Sequence, residues 1–71
     1  MVNTKKIKAR MTELDLNQTE VAAQIGIAQS TFNQKINNTR PLFLDEVEKL
    51  QALLKIDNAD FSEYFFYHGV A

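Results

Sequence analysis

Six side chains within nine residues, Gln29, Ser30, Thr31, Asn33, Gln34 and Asn37, carry uncharged hydrogen-bonding groups. Carboxamides and hydroxyls with no base beside them bind rather than react. A glutamine amide can donate and accept in parallel against the N7 and N6 of an adenine, and a threonine methyl can touch the methyl of a thymine. None of the six is needed merely to fold. A bland solvated helix face usually mixes lysine with glutamate, and this run holds no acid. The chemistry these residues suit is the reading of base edges, with Gln29, Ser30, Thr31, Asn33 and Gln34 as the readers.

Catalytic chemistry has little to stand on. His68 is the single histidine and there is no cysteine. A zinc site would need carboxylates alone, an uncommon ligand set. Glu13 with Asp15, and Asp45 with Glu46 and Glu48, read as solvated charge. Only Gly26 and Gly69 are present, so no glycine-rich phosphate loop exists. The expectation is a protein that is not an enzyme and holds no metal or cofactor.

The polar run must be presented by helices. Asn3 or Thr4 opens a first helix that ends near Leu14, with Ile7, Met11 and Leu14 on one face. Asn17 opens a second. Its side chain can accept from a first-turn amide, and Glu20 lies at the capping-box spacing. Val21, Ala22 and Ile25 face inward, and Gly26 stops the helix in a left-handed conformation that suits glycine. Ala22 is small enough for two helices joined by a short turn to approach closely. The third helix runs from about Ala28 to Asn37. Phe32 and Ile36 mark its buried face, while Ser30, Gln34 and Asn37 fall opposite. Asn37 to Pro41 is a loop by composition. A fourth helix starts near Leu44, with Asp45 and Glu46 suited to its dipole and Val47, Leu50, Leu53 and Leu54 as its apolar stripe. Asp57 or Asn58 caps a short fifth helix carrying Phe61, Tyr64, Phe65 and Phe66. Phe32, Ile36, Val47, Leu50 and Leu54 are the expected core.

Length and composition are consistent with this. The 71 residues make one domain, 1–71, with a five-helix core over 3–66 and a tail over 67–71. The 45% apolar fraction supports one compact core. No secretory leader is expected, and no segment nears the roughly 20 apolar residues of a membrane span. The absence of cysteine fits a reducing compartment. Net charge is −1 and the sequence pI is about 5.7, acidic for a nucleic-acid binder. The charge is unevenly placed. Residues 1–40 hold six basic against three acidic residues, a net +3; residues 41–71 hold two basic against six acidic, a net −4. The polar run therefore lies in the positive half, which favours approach to phosphates.

Residues 3–66 resemble the five-helix DNA-binding domain of Cro/CI-type phage repressors, the lambda-repressor-like or XRE-type group. The likeness rests on Leu16-Asn17-Gln18, Val21-Ala22, Ile25-Gly26-Ile27, Gln29-Ser30, Phe32 and Ile36, then Arg40-Pro41 followed by Phe43-Leu44. The resemblance implies an all-α fold in which helices two and three form a helix-turn-helix and helix three enters the major groove of double-stranded operator DNA. It places Gln29, Ser30 and Gln34 at base-contacting positions. It places Gln18, Asn37 and Arg40 at phosphate or groove-edge positions; beside these, Asn38 is a further candidate phosphate contact, and Lys35, a departure from the family, either loosens the packing or supplies another. Ala28 departs from the family pattern by giving helix three no side-chain cap, and Lys35 stands where an apolar residue is frequent. The resemblance also implies a short lytic-side regulator in the cytoplasm of a bacterial host, acting as a homodimer or by binding a CI-type repressor. Phe61, Tyr64, Phe65, Phe66 and Tyr67 exceed what a short amphipathic helix needs inside, so an exposed protein-binding patch is expected there.

Overall fold

The structure, a computed structural model, describes residues 1–66. Five α-helices follow one another: α1 (Thr4–Glu13), α2 (Gln18–Ile25), α3 (Gln29–Ile36), α4 (Leu44–Leu53) and, after a 3-10 turn over Asn58–Asp60, α5 (Phe61–Phe65). The fold is all-α, as the helical periodicities predict, with α2 and α3 as the helix-turn-helix. No helix among the described residues is long and apolar enough to cross a membrane.

Local chemistry sets most of the boundaries. Asn3 caps α1 by accepting from the Lys6 amide at 3.2 Å. Asn17 accepts from the Glu20 amide at 2.8 Å, and the Glu20 carboxylate accepts from the Asn17 amide at 3.2 Å, a complete capping box. Gly26 ends α2 at φ +91°, in the left-handed region. Ala28 opens α3 without a side-chain hydrogen bond. The start of α5 differs from expectation. Neither Asp57 nor Asn58 caps it; the chain makes the 3-10 turn first and enters α5 at Phe61.

The helices close around Ile7, Met11, Val21, Ala22, Ile25, Phe32, Ile36, Leu50, Leu54, Ile56 and Phe65. Full burial of side chains of this size contributes roughly 1.5–3 kcal/mol each. Ala22, 1% exposed, sits within α2, which packs on both α3 and α4. Val47, expected in the core, is only half-buried and packs against its edge. Arg10 is drawn into the structure, donating to the carbonyls of Leu54 at 2.8 Å and Lys55 at 3.2 Å, where it caps the C-terminus of α4. α5 is held to α1 by the Asn3 amide on the Tyr64 carbonyl and by a Lys6–Glu63 ion pair. The rigid consequence is that α3 lies across α2 with one long side open to solvent.

Candidate nucleic-acid interface

Phe32 and Ile36 anchor α3 with no exposed surface. That anchoring turns Ser30, Asn33, Gln34 and Asn37 outward, all exposed, and leaves Thr31 half-buried at the edge. Gln29 lies three residues before Phe32 and seven before Ile36, on the anchors' side of the helix, and is exposed because it projects from the first turn.

Several of these side chains are held. The Gln29 carboxamide oxygen accepts from the Thr19 hydroxyl at 2.8 Å, tying the first turn of α3 to the first turn of α2. The oxygen keeps a lone pair, and the amide hydrogens remain free to donate. Asn37 donates to the Asn33 carboxamide oxygen at 3.3 Å, and Arg40 donates to that of Gln34 at 3.4 Å. The amide and hydroxyl of Thr39 both donate to the Gln34 carbonyl, at 2.9 and 2.8 Å, and close the end of α3. Gln18 stands at the start of α2, beside the Asn17–Glu20 capping box, where the Gln18 and Thr19 amides have no intrahelical acceptor.

Two expected phosphate contacts are placed differently. Lys35 is 6% exposed, and its ammonium lies 2.6 Å from both carboxylate oxygens of Glu46, itself 6% exposed. Glu46 is therefore not solvated charge, and Lys35 presents no charge to a duplex. Lys35 lies three residues after Phe32 and Glu46 four before Leu50, but Gln29 and Asn33 stand equally near Phe32 and Ile36 on the helix and are exposed, so periodicity alone does not single out the pair. Burial pushes the Glu46 carboxyl up, but hydrogen bonds from Lys35 and from the Phe43 amide outweigh it and hold the group below the ordinary carboxylate value. Asn38, at φ +65°, spends its side chain on the other end of the chain. Its oxygen accepts from the Val2 amide at 2.8 Å and its nitrogen donates to the Val2 carbonyl at 3.0 Å. Thr19, which the sequence reading passed over, joins the site through Gln29.

The aromatic cluster is also largely internal. Phe65 is 5% exposed and belongs to the core, with Phe61 and Tyr64 half-buried against it. Rings 61 and 65 lie 4.8 Å apart at a 39° tilt, so this pair packs at the core and leaves Phe66 as the exposed member of the cluster among the described residues. Phe66 is exposed, and Tyr67 lies outside the described residues. Met1, Phe43 and Leu44 join Phe66 as the large exposed apolar side chains among the described residues. An open groove of about 560 Å³ runs between the Arg40–Leu42 segment and Phe61, with Met1, Leu44 and Phe66 on its walls.

Comparison with known proteins finds no matching curated protein and no matching solved structure. A family model described as the Cro/C1-type HTH DNA-binding domain matches residues 6–66, from α1 through α5. This chain accordingly belongs to the Cro/C1-type helix-turn-helix family, whose members are DNA-binding regulators and not enzymes.

Proposed function

We propose that the protein is a sequence-specific transcription regulator of a phage-type genetic switch, with α3 seated in the major groove of a two-fold operator. The observation that carries this reading is the exposed, acid-free face of α3, with Gln29 buttressed by Thr19 and Gln34 by Arg40. Gln29, Ser30, Thr31, Asn33 and Gln34 read bases. Gln18, Asn37 and Arg40 contact the backbone. Fixed carboxamides favour bidentate pairing because little rotamer freedom is left to lose on binding. A gel-shift series against a duplex pool randomised over one operator length tests this, with enrichment of a recurring two-fold sequence as the expected result. Equal affinity for all duplexes at every salt concentration would sink it.

A second reading has its own support. The apolar walls of the open groove and the net −4 of residues 41–71 suit a regulator that binds a basic CI-type repressor and modulates its grip on DNA. Co-purification with a CI-type repressor, undiminished by nuclease, favours this reading. A footprint by the isolated chain with no such complex excludes it.

A further inference from the structure

Reading a groove does not by itself require a buried charge pair beneath the reading helix, yet this chain has one. Lys35 and Glu46 meet through two 2.6 Å contacts between α3 and the first turn of α4. One Glu46 oxygen also accepts from the Phe43 amide at 2.9 Å, and the Lys35 ammonium sits 4.3 Å from the centre of the Phe43 ring. Lys35 thus reaches across to both ends of the Phe43–Glu46 turn. The connection it closes runs from Asn37 to Phe43 and carries Arg40. Gln34 precedes Lys35 directly, and Arg40 bonds back to it.

Stability alone does not account for such a pair. Desolvating two charges offsets much of their attraction, and a well-packed apolar pair of equal volume often serves as well or better. Direction is what the pair adds. An apolar contact tolerates sliding of one helix along another, whereas an ammonium bound by both oxygens of a carboxylate that the Phe43 amide already fixes at the start of α4 admits one register.

We infer that Lys35 and Glu46 are positioning residues for DNA reading: their buried pair locks α3 in register with α4 and clasps the connection between them, so Gln34 and Arg40 meet the duplex in one geometry. The inference rests on the DNA-reading role proposed above. Its two parts are separately measurable.

The test compares the wild-type chain with the double variant Lys35→Met/Glu46→Leu and with Lys35→Arg, which keeps the charge. One readout is hydrogen exchange of the Asn38 and Thr39 amides, which donate to the Lys35 and Gln34 carbonyls, against the Val21 and Ile25 amides of α2. The other is the ratio of affinities for a duplex that the wild type enriches from a randomised pool and for a scrambled duplex of the same composition. The double variant should melt no lower than wild type and keep α2 protection. Its Asn38 and Thr39 amides should exchange at least tenfold faster, and its discrimination should fall about tenfold with scrambled-duplex affinity unchanged. Lys35→Arg should preserve both. Unaltered exchange of Asn38 and Thr39 overturns the clasp whatever the DNA result. Released amides with undiminished discrimination overturn the positioning role. If the double variant does not fold, Glu46→Gln, which keeps the shape and an acceptor for Phe43, takes its place under the same two criteria. A wild type that enriches no duplex removes the DNA-reading role and the pair's part in it, while released amides would still establish the clasp.

Discussion

Gln29 and Arg40 illustrate how two exposed polar residues on one face contribute differently. Gln29 offers directional donors and an acceptor, so its worth depends on the base it meets. Arg40 offers charge at the end of α3, so its worth depends on the phosphates and the salt. Gln29→Ala or Gln34→Ala should relax preference at one base pair, costing about 1–3 kcal/mol there. Competition against single-base variants of the enriched duplex measures this. Arg40→Ala should weaken binding to every duplex and lower the slope of log affinity against log salt by about one. The buried carboxylate makes a prediction of another kind. Glu46 is held below its ordinary value, so its stabilisation is complete above the unfolded carboxylate value near ~4.3 and drains away as pH falls through the folded one. Removing only one partner leaves a buried charge unpaired, so Lys35→Met should cost about 3–5 kcal/mol at pH 7. Glu46→Gln should be less stable at pH 7 and lose less on acidification than wild type. Urea midpoints between pH 7 and pH 3 decide both.

At the scale of elements, the corner between α2 and α3 governs where the reading face points. Gly26 holds φ +91°, and a β-carbon added there would meet no atom within 4 Å. Gly26→Ala should therefore cost only the backbone strain of a left-handed residue, about 1–2 kcal/mol, with DNA preference intact. Its neighbour gives the opposite opportunity. Ala28 already has the extended backbone of an N-cap but no side-chain acceptor. Ala28→Ser should supply one and raise stability by about 0.5–1 kcal/mol. Thermal melts of the two variants should move in opposite directions. A lower melting temperature for Ala28→Ser would mean that the hydroxyl does not reach the first-turn amides of α3.

The described residues measure 31 × 24 × 21 Å and carry one reading helix, α3. Successive major-groove faces of a duplex lie roughly 34 Å apart, so one copy spans one half-site. A two-fold operator then calls for two chains. Sedimentation of the chain with the enriched duplex should show two copies per duplex, and a half-length duplex should hold one with weaker affinity. The charge distribution sets the electrostatics. Net charge is −1, and of the six basic residues in the first 40 positions Lys6, Arg10 and Lys35 are paired with Glu63, Glu13 and Glu46, which leaves Lys5, Lys8 and Arg40 without an ion-pair partner among the described residues.

Much of this architecture is written locally. The capping box at Asn17 and Glu20, the left-handed Gly26, the uncapped Ala28 and the inward Phe32 and Ile36 each depend on residues within about one helical turn of one another. Short-range pattern is enough to place them. The outward setting of Ser30, Gln34 and Asn37 follows from the same periodicity, while Gln29 is exposed because it stands in the first turn of α3. What each polar side chain does next depends on which distant helix arrives beside it. Lys35 and Asn38 have the composition of phosphate contacts, but α4 delivers Glu46 to the first and the amino-terminal segment delivers Val2 to the second. Phe65 has the look of surplus aromatic surface until α5 folds it into the core. The sequence by itself determined the helices, the caps of α1 and α2 and the Ser30–Gln34–Asn37 face of α3 that meets solvent, but not the start of α5. The tertiary structure alone decided which charges stay free for a partner, because burial and pairing belong to contacts between segments far apart in the chain.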